Sequence, residues 1–414
     1  MSIRILPVSE VATVLSRRAA RMAAAEAVVS PILSAVRKRG DRAVLEFARE
    51  FDRLERKSVA VPAHELEAAA ARLSPEFRSA IELAGANIRA FAERQMPCEH
   101  FEELRPGMNL GQLVRPLDSI AAYIPGGRYP LPSTLMMTVI PAKVAGVPEI
   151  CVTSPRAVDA VFGTAHLLGA DRVFQMGGAH AIAAFAFGTK TVPRADRIVG
   201  PGNIYVAAAK KLLAGEVGID FVAGPTEILI IAAEGDARFL AADMLAQAEH
   251  DTDASAILLT TSKRLANAVS KEIDLQMQTL TTSAVAAKSI AKNSAIVIVR
   301  SLNEAAEISN RFAPEHLSIP DSSLLPKLRH AGSIFVGPYS PEAAGDYAAG
   351  PNHVLPTGGA ARMRGGLSVN DFCKVITVQQ LNRQALETIA PAVTTIARAE
   401  GLEAHARSVE VRLQ

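Results

Sequence analysis

Residues 119–154, SIAAYIPGGRYPLPSTLMMTVIPAKVAGVPEICVTS, decide the fold. The stretch opens with an apolar run, SIAAYI, and turns through Pro125, Gly126 and Gly127. It continues as a helix over 132–146 and closes in a second apolar run, EICVTS. Strand, helix, strand with both strands apolar is the signature of a buried parallel sheet joined by right-handed crossovers.

The alternation continues downstream. RVFQM, RIVG, EILIIAA, AILLTT, AIVIVR and SIFVG read as strands, separated by helices over 158–169, 178–187, 203–213, 236–249 and 263–280. These strands are too many for one small sheet, and 414 residues exceed what one core organises. The expectation is an α/β protein of two Rossmann-like lobes with largely parallel sheets. Upstream, Ala-, Leu-, Glu- and Arg-rich segments over 9–38, 42–50 and 75–95 read as helix, with a short strand at SVAV (58–61) and another at Leu110–Arg115. Residues 380–410 return to helix. The layout expected is an N-terminal helical segment (1–25), a discontinuous first lobe (26–122 and 227–365), a second lobe (123–226) and a helical tail (366–414).

Composition removes several function classes. The net charge is +2 from 44 basic and 42 acidic residues spread along the chain, without the dense basic face of a nucleic-acid binder. Aromatics are 5% and tryptophan is absent, so neither base-stacking platforms nor a membrane-interface belt is built. Lys143, Pro141, Pro148 and Glu149 interrupt the most apolar run, and no stretch reads as a membrane span. Cys98, Cys151 and Cys373 form no C-x-x-C, which fits a reducing compartment. Arg17, Arg18 and Arg21 among alanines have the flavour of a transit peptide, but Glu10 and Glu26 argue against one. A cytoplasmic protein is expected.

Glycine-rich turns follow several strands: Ile124-Pro-Gly-Gly127, Met176-Gly-Gly-Ala179 and Gly200-Pro-Gly-Asn203. In open α/β sheets ligands sit at the carboxyl ends of strands, where glycine lets backbone approach them. None of these turns is G-x-G-x-x-G, and taken singly each is an ordinary turn. In DMLAQAEH (243–250), Gln247 and His250 are i, i+3 neighbours on a helix, suited to one shared metal ion or to a helix-end hydrogen bond. Glu315-His316 at a strand entry suits a general-base pair or a polar turn. The loop GDYAAGPNHVLPTGG (345–359) is glycine-rich, poor in apolar residues and rich in ligand types, which favours function. Five of the nine histidines, 180, 250, 316, 353 and 405, fall in such glycine- or acid-rich motifs, whereas His64, His100, His166 and His330 sit in plain helical sequence. A sulfur-free nitrogen and oxygen site acceptable to zinc can be assembled from them.

Read in order, the chain resembles histidinol dehydrogenases. The resemblance runs from Arg39-Gly40-Asp41 to His405 through YIPGG (123–127), FGTKTVPRADRIVGPGN (187–203), GIDFVAGPTE (218–227), LAQAEH (245–250), APEHL (313–317) and SPEAAGDYAAGPNHVLPTGG (340–359). It implies a zinc-dependent enzyme that oxidises L-histidinol to L-histidine through an aldehyde, reducing two NAD. Carried over by position, the zinc ligands correspond to Gln247, His250, Asp346 and His405. His316 matches the base for the alcohol proton, and Glu315 the residue that activates water for the second oxidation. Substrate contacts fall on Thr226, His353, Glu400, His316 and the ligands, and NAD contacts on Tyr123, His180 and Asn203. The resemblance also implies a homodimer whose C-terminal tail completes the partner's site.

Three positions depart from the family pattern. Thr226 stands where serine is usual and keeps the hydroxyl. His180 replaces a usual glutamine. Arg362-Met-Arg-Gly-Gly-Leu367 differs from a common Phe-Ser-Ser-Gly-Leu. The added arginines motivate one alternative, a paralogous zinc- and NAD-dependent dehydrogenase of another polar alcohol such as a sulfonated diol.

Overall fold

The computed structural model describes residues 3–15, 22–126 and 129–414. Gly127 and Arg17, Arg18 and Arg21, singled out above, lie outside the described residues. In chain order the strands are β1 (Arg4–Pro7), β2 (Ala60–Val61), β3 (His100–Arg105), β4 (Met108–Pro116), β5 (Ser119–Tyr123), β6 (Glu149–Thr153) and β7 (Arg172–Phe174). They continue with β8 (Arg197–Val199), β9 (Gly218–Ile219), β10 (Glu227–Ile231), β11 (Ser255–Thr260), β12 (Ala295–Ile298), β13 (His316–Ile319), β14 (Ser333–Val336) and β15 (Cys373–Leu381).

Two six-stranded sheets carry the molecule. One runs β1-β12-β11-β10-β13-β14 and is parallel throughout. The other runs β2-β7-β6-β5-β8-β9 and is parallel except for the β2–β7 pair. The expected two-lobed, largely parallel α/β architecture is the one found. Every residue of β10 is buried, as befits a central strand covered on both faces. The helix Gly178–Phe187 shows why crossovers can be apolar all round: it lies between its own sheet and the helix Met22–Arg39, burying Ala179 to Ala186.

The lobe boundaries differ from the expectation in three places. Residues 4–7 are the edge strand of the first sheet, paired with β12, rather than part of a helical segment. The helices Met22–Arg39 and Asp41–Asp52 share a core with Phe174 and Phe185, and Ala63–Ala71 and Pro75–Arg94 share one with Ile120 and Ile150. Residues 22–94 therefore cover the second sheet, not the first. An apolar stripe such as Val29, Leu33 and Val36 says that a helix needs a partner, without saying which. Finally, the tail is not helical throughout, because β15 pairs antiparallel with β4 from Cys373 to Leu381 in a third sheet, β15-β4-β3. The turn between β3 and β4 holds Gly107 at φ +76, against Asn382, where a Cβ would lie 2.2 Å from the Asn382 amide oxygen. Asn382 N–H donates to Gly107 O, and its side chain caps the helix Arg383–Ala399. Among the described residues no helix is long and apolar enough to cross a membrane.

Candidate active site

In the second sheet the chain order reverses between β5 and β8, which opens a crevice at their carboxyl ends. Tyr123 ends β5 and the Gly200–Asn203 turn follows β8. Gly200, at φ +110, lies so close to β5 that a Cβ would sit 2.2 Å from Tyr123 O, so only glycine fits. A buried ion pair fixes this turn: Asp220 accepts from Gly200 N (2.7 Å) and Lys210 donates to Gly200 O (2.5 Å) and Asp220 (2.7 Å). Asn203 is exposed and caps the helix Ile204–Leu213. Beside it, Gly178 N–H donates to the Tyr123 hydroxyl (3.1 Å). His180 Nε2 pairs with Asp52 Oδ2 (2.9 Å), which also accepts from Gly177 N (2.8 Å). His180 is fully buried and its Nδ1 has no hydrogen-bond partner. Tyr123 and His180 are thus held together, with Asn203 on the neighbouring strand turn. Asp52 was not foreseen, because it belongs to a helix far upstream in sequence.

The first sheet reverses between β10 and β13, but there the candidate chemistry lies at the amino ends, contrary to the carboxyl-end expectation. The parallel register pairs Ile228 with His316, which brings Thr226 and Glu227 beside Glu315 and His316. Thr226 Oγ1 donates to Glu315 Oε2 (2.5 Å), and Glu227 N–H donates to the same oxygen (2.9 Å). His316 Nδ1 lies 3.2 Å from Glu227 O, so Nδ1 carries the proton that this acceptor needs. That leaves Nε2, buried without a hydrogen-bond partner and 3.6 Å from Asp346 Oδ1, as the basic atom.

Two packed helices complete the wall. Ala237–Ala248 carries Asp243 and Gln247, and Glu342–Tyr347 carries Glu342 and Asp346. The first helix ends at Ala248, so His250 lies in the turn beyond it rather than on the helix, its N–H still bonded to Gln247 O (3.4 Å). His250, Glu342 and Asp346 each offer a ligand atom, all within 4.8 Å of one another. Glu342 and Asp243 escaped the sequence reading. The signal for both was present: Asp243 and Gln247, like Glu342 and Asp346, stand i, i+4 on one helix face. His353 Nδ1 donates to Asp346 O (2.7 Å), and its Nε2 meets Thr134 Oγ1 (3.2 Å) in the helix that follows β5. One side chain therefore ties the acidic pocket to the second lobe. Glu400 and His405 are exposed, and the helices that carry them pack on each other and not into this pocket.

The charge balance is unusual. Burial would lower the His316 pKa, but Glu342, Glu315 and Asp346 outweigh it and push it up to about 10. Burial pushes Glu342 up to about 8, with Asp346 and Glu315 adding to it and His316 opposing. Burial also raises Glu315, and it raises Asp243 to about 6. For His353, burial dominates and keeps the ring neutral. In the metal-free protein the folded state therefore holds protons that the unfolded chain releases, since both His316 and Glu342 titrate above their ordinary values. Stability present below about pH 4.5–6.5 should fall as pH rises toward 10. Thermal denaturation of the chelated protein across this range should show a declining Tm, shallower once zinc is restored; equal slopes would contradict this account.

The donor set fits a divalent cation. Glu315 and Glu342, both buried, and Asp346, half-buried, lie 3.6–3.8 Å from His316, an anionic excess that a cation offsets. His250, Glu342 and Asp346 supply the nitrogen and oxygen donors that such an ion takes. The Gln247 amide bridges the two walls, with its nitrogen on Glu342 (2.7 and 2.9 Å) and its oxygen on Thr226 (2.7 Å).

Comparison with known proteins agrees. A family model described as histidinol dehydrogenase matches residues 15–413. The histidinol dehydrogenase of Aquifex aeolicus is 47% identical over 393 residues, covering 94% of this chain and 92% of that one. That of Geobacter sulfurreducens is 45% identical over 417 residues, covering 98% and 97%. The crystal structure of histidinol dehydrogenase from Elizabethkingia anophelis superposes with a TM-score of 0.94 at 35% identity, over 99% of this chain and 98% of that chain. A lactaldehyde dehydrogenase from Escherichia coli, 11% identical with a TM-score of 0.53 over 84% of this chain and 91% of that one, shares the fold alone. With nearly its whole length matched, and with a hydroxyl, carboxylate and imidazole meeting beside a metal-type donor cluster, this chain belongs to the histidinol dehydrogenase family.

Proposed function

We propose that the chain carries out this family's reaction at the pocket between β10, β13 and the helix Glu342–Tyr347: oxidation of L-histidinol to L-histidine, in histidine biosynthesis, with zinc and NAD. The observation that carries the reading is His316, buried, with Nδ1 committed to Glu227 O and Nε2 free. Nε2 takes the alcohol proton as hydride leaves the same carbon, giving histidinal. Glu315, raised by burial and steadied by Thr226 and Glu227, then takes a proton from the water that hydrates the aldehyde. The hydrate loses a second hydride and becomes the carboxylic acid. NAD, when bound, accepts each hydride; Tyr123, His180 and Asn203 would hold it in the β5–β8 crevice. Gln247, His250 and Asp346 would hold zinc, which supplies a fixed positive charge that anchors the substrate's imidazole and amine and offsets the carboxylate field on His316. His353 and Thr226 would contact the substrate.

We assign Glu400 and His405 to the partner subunit's site in a homodimer, His405 as a further zinc ligand and Glu400 as a substrate contact. Both are polar, exposed and mounted beside a sheet whose outer strands expose Phe101, Leu104, Val375 and Ile376. Such an apolar surface suits burial against a second copy. A cytoplasmic location fits three free cysteines.

The anionic-diol alternative finds no support in its arginines. The Arg364 guanidinium donates to Asp371 (2.8 Å) and to Asp220 O and lies over the Phe221 ring, and Arg362 donates to Arg311 O (2.5 Å). Zinc-loaded protein given L-histidinol should form two NADH per substrate, with activity lost on chelation and recovered with zinc. One NADH with histidinal accumulating would confine the chain to the first step. None from histidinol, with turnover of a sulfonated diol, would replace the assignment.

A further inference from the structure

We propose that Asp52 is a positioning residue for NAD: it fixes the turn between β7 and the helix Gly178–Phe187, and through that turn aims the Tyr123 hydroxyl at the cofactor. The proposal rests on the NAD reading above and adds a residue to it. Asp52 closes the helix Asp41–Asp52, remote in sequence from the crevice, and its side chain is buried. Its Oδ2 accepts from Gly177 N–H (2.8 Å) and pairs with His180 Nε2 (2.9 Å), so a single atom grips both sides of the turn. Hydrogen bonds to a carboxylate are about twice as strong as neutral ones, which suits a backbone that must not drift.

His180 acts from beneath this turn. It is fully buried, its ring lies 6.1 and 6.2 Å from those of Phe47 and Phe51 on the Asp52 helix, and its Nδ1 has no partner. Asp52 is therefore the polar anchor of the ring. Gly178, at φ +57, sits over the ring, where a Cβ would lie 3.4 Å from Nδ1. Its N–H donates to the Tyr123 hydroxyl oxygen (3.1 Å). An oxygen that accepts there leaves its own hydrogen to donate elsewhere. Burial, with the Asp52 carboxylate adding to it, pushes the Tyr123 pKa up to about 12. The phenol thus keeps its proton and offers NAD a donor of fixed direction. Without the Asp52 carboxylate, Gly177 and His180 both lose their partner, and the Gly178 N–H between them loses its aim.

The test uses full-length, zinc-loaded protein with NADH as the probe. The chain has no tryptophan, so NADH fluorescence is read without interference from that residue. Asp52→Ala is expected to raise the NADH Kd and the KM for NAD by about tenfold. The kcat at saturating NAD, the KM for histidinol and the zinc content should stay within about twofold of wild type. Asp52→Asn, which keeps an acceptor oxygen, should recover most of the affinity. In a Tyr123→Phe background Asp52→Ala should add less than about twofold, because the hydroxyl it aims is gone. A lower Tm with unchanged NADH binding makes Asp52 a structural residue only and overturns the proposal, as do independent, additive losses in the double variant. If Asp52→Ala does not fold, wild type decides. The NMR signal of labelled Tyr123, identified by its absence from Tyr123→Phe, should shift when NADH binds; a stationary signal overturns the proposal. Wild-type protein that binds no NADH overturns instead the cofactor assignment on which it stands.

Discussion

Replacing His316 with asparagine is expected to lower kcat for histidinol oxidation by about 10²–10⁴-fold, equivalent to about 3–5 kcal/mol of barrier. Asparagine is chosen because its amide nitrogen can occupy the Nδ1 position and keep the bond to Glu227 O, so the strand pairing at β10 and β13 survives. What disappears is Nε2, the one buried nitrogen in the pocket with no partner of its own. Zinc content should stay at the wild-type level, since His316 is not among the proposed ligands. Glu315→Gln should act differently. Glutamine still accepts from Thr226 and Glu227 but takes no proton from water, so histidinal oxidation should fall much further than histidinol oxidation in single-turnover assays. If the asparagine variant kept activity within about tenfold of wild type, or if Glu315→Gln slowed both halves alike, the division of roles would be wrong.

Mixing two inactive variants should restore activity. A chain with His316→Asn has a dead pocket and a sound tail; a chain with His405→Asn and Glu400→Gln has the reverse. If each tail serves the partner, one pocket in every mixed dimer is whole. Equal amounts, unfolded together and refolded, should recover about a quarter of wild-type activity, because half the dimers are mixed and each has one of two sites intact. Each variant refolded alone should stay near background. Recovery no greater than the sum of the two would mean that Glu400 and His405 do not work across subunits. Their exposure in the single chain, on helices that pack away from the pocket, is what makes the test decisive.

Much of this architecture was legible because its strands announce themselves. EILIIAA is apolar after its first residue and AILLTT before its last two, runs that suit a parallel strand covered on both faces. What the chain does not display is which sheet a helix covers. Val29, Leu33 and Val36 would suit either lobe, and long-range packing alone assigns them to the second. Short pieces were also hidden: RILP at 4–7 is a strand only because β12 offers an edge. At the site, linear motifs led to Thr226, Gln247, Glu315, His316, Asp346 and His353, which the fold gathers around one pocket. Glu342 and Asp243 lay inside quoted motifs but were passed over, since reading the letters in order hides which of them share a helix face. Asp52 had no local signal, as its partner His180 is 128 positions away.

The mounting of the C-terminal tail has a thermodynamic consequence. A terminal segment that must reach another molecule usually sacrifices its own freedom at the moment of contact. Here that loss has already occurred during folding, because β15 is zipped to β4 over nine residues and Asn382 is wedged against the Gly107 turn. In the proposed homodimer the tail would therefore arrive preorganised, and its effective concentration at the partner's pocket would be set by subunit association rather than by its own fluctuation. Specific activity should then follow protein dilution along the monomer–dimer isotherm, with no intermediate regime in which intact dimers lose turnover through a loosened tail.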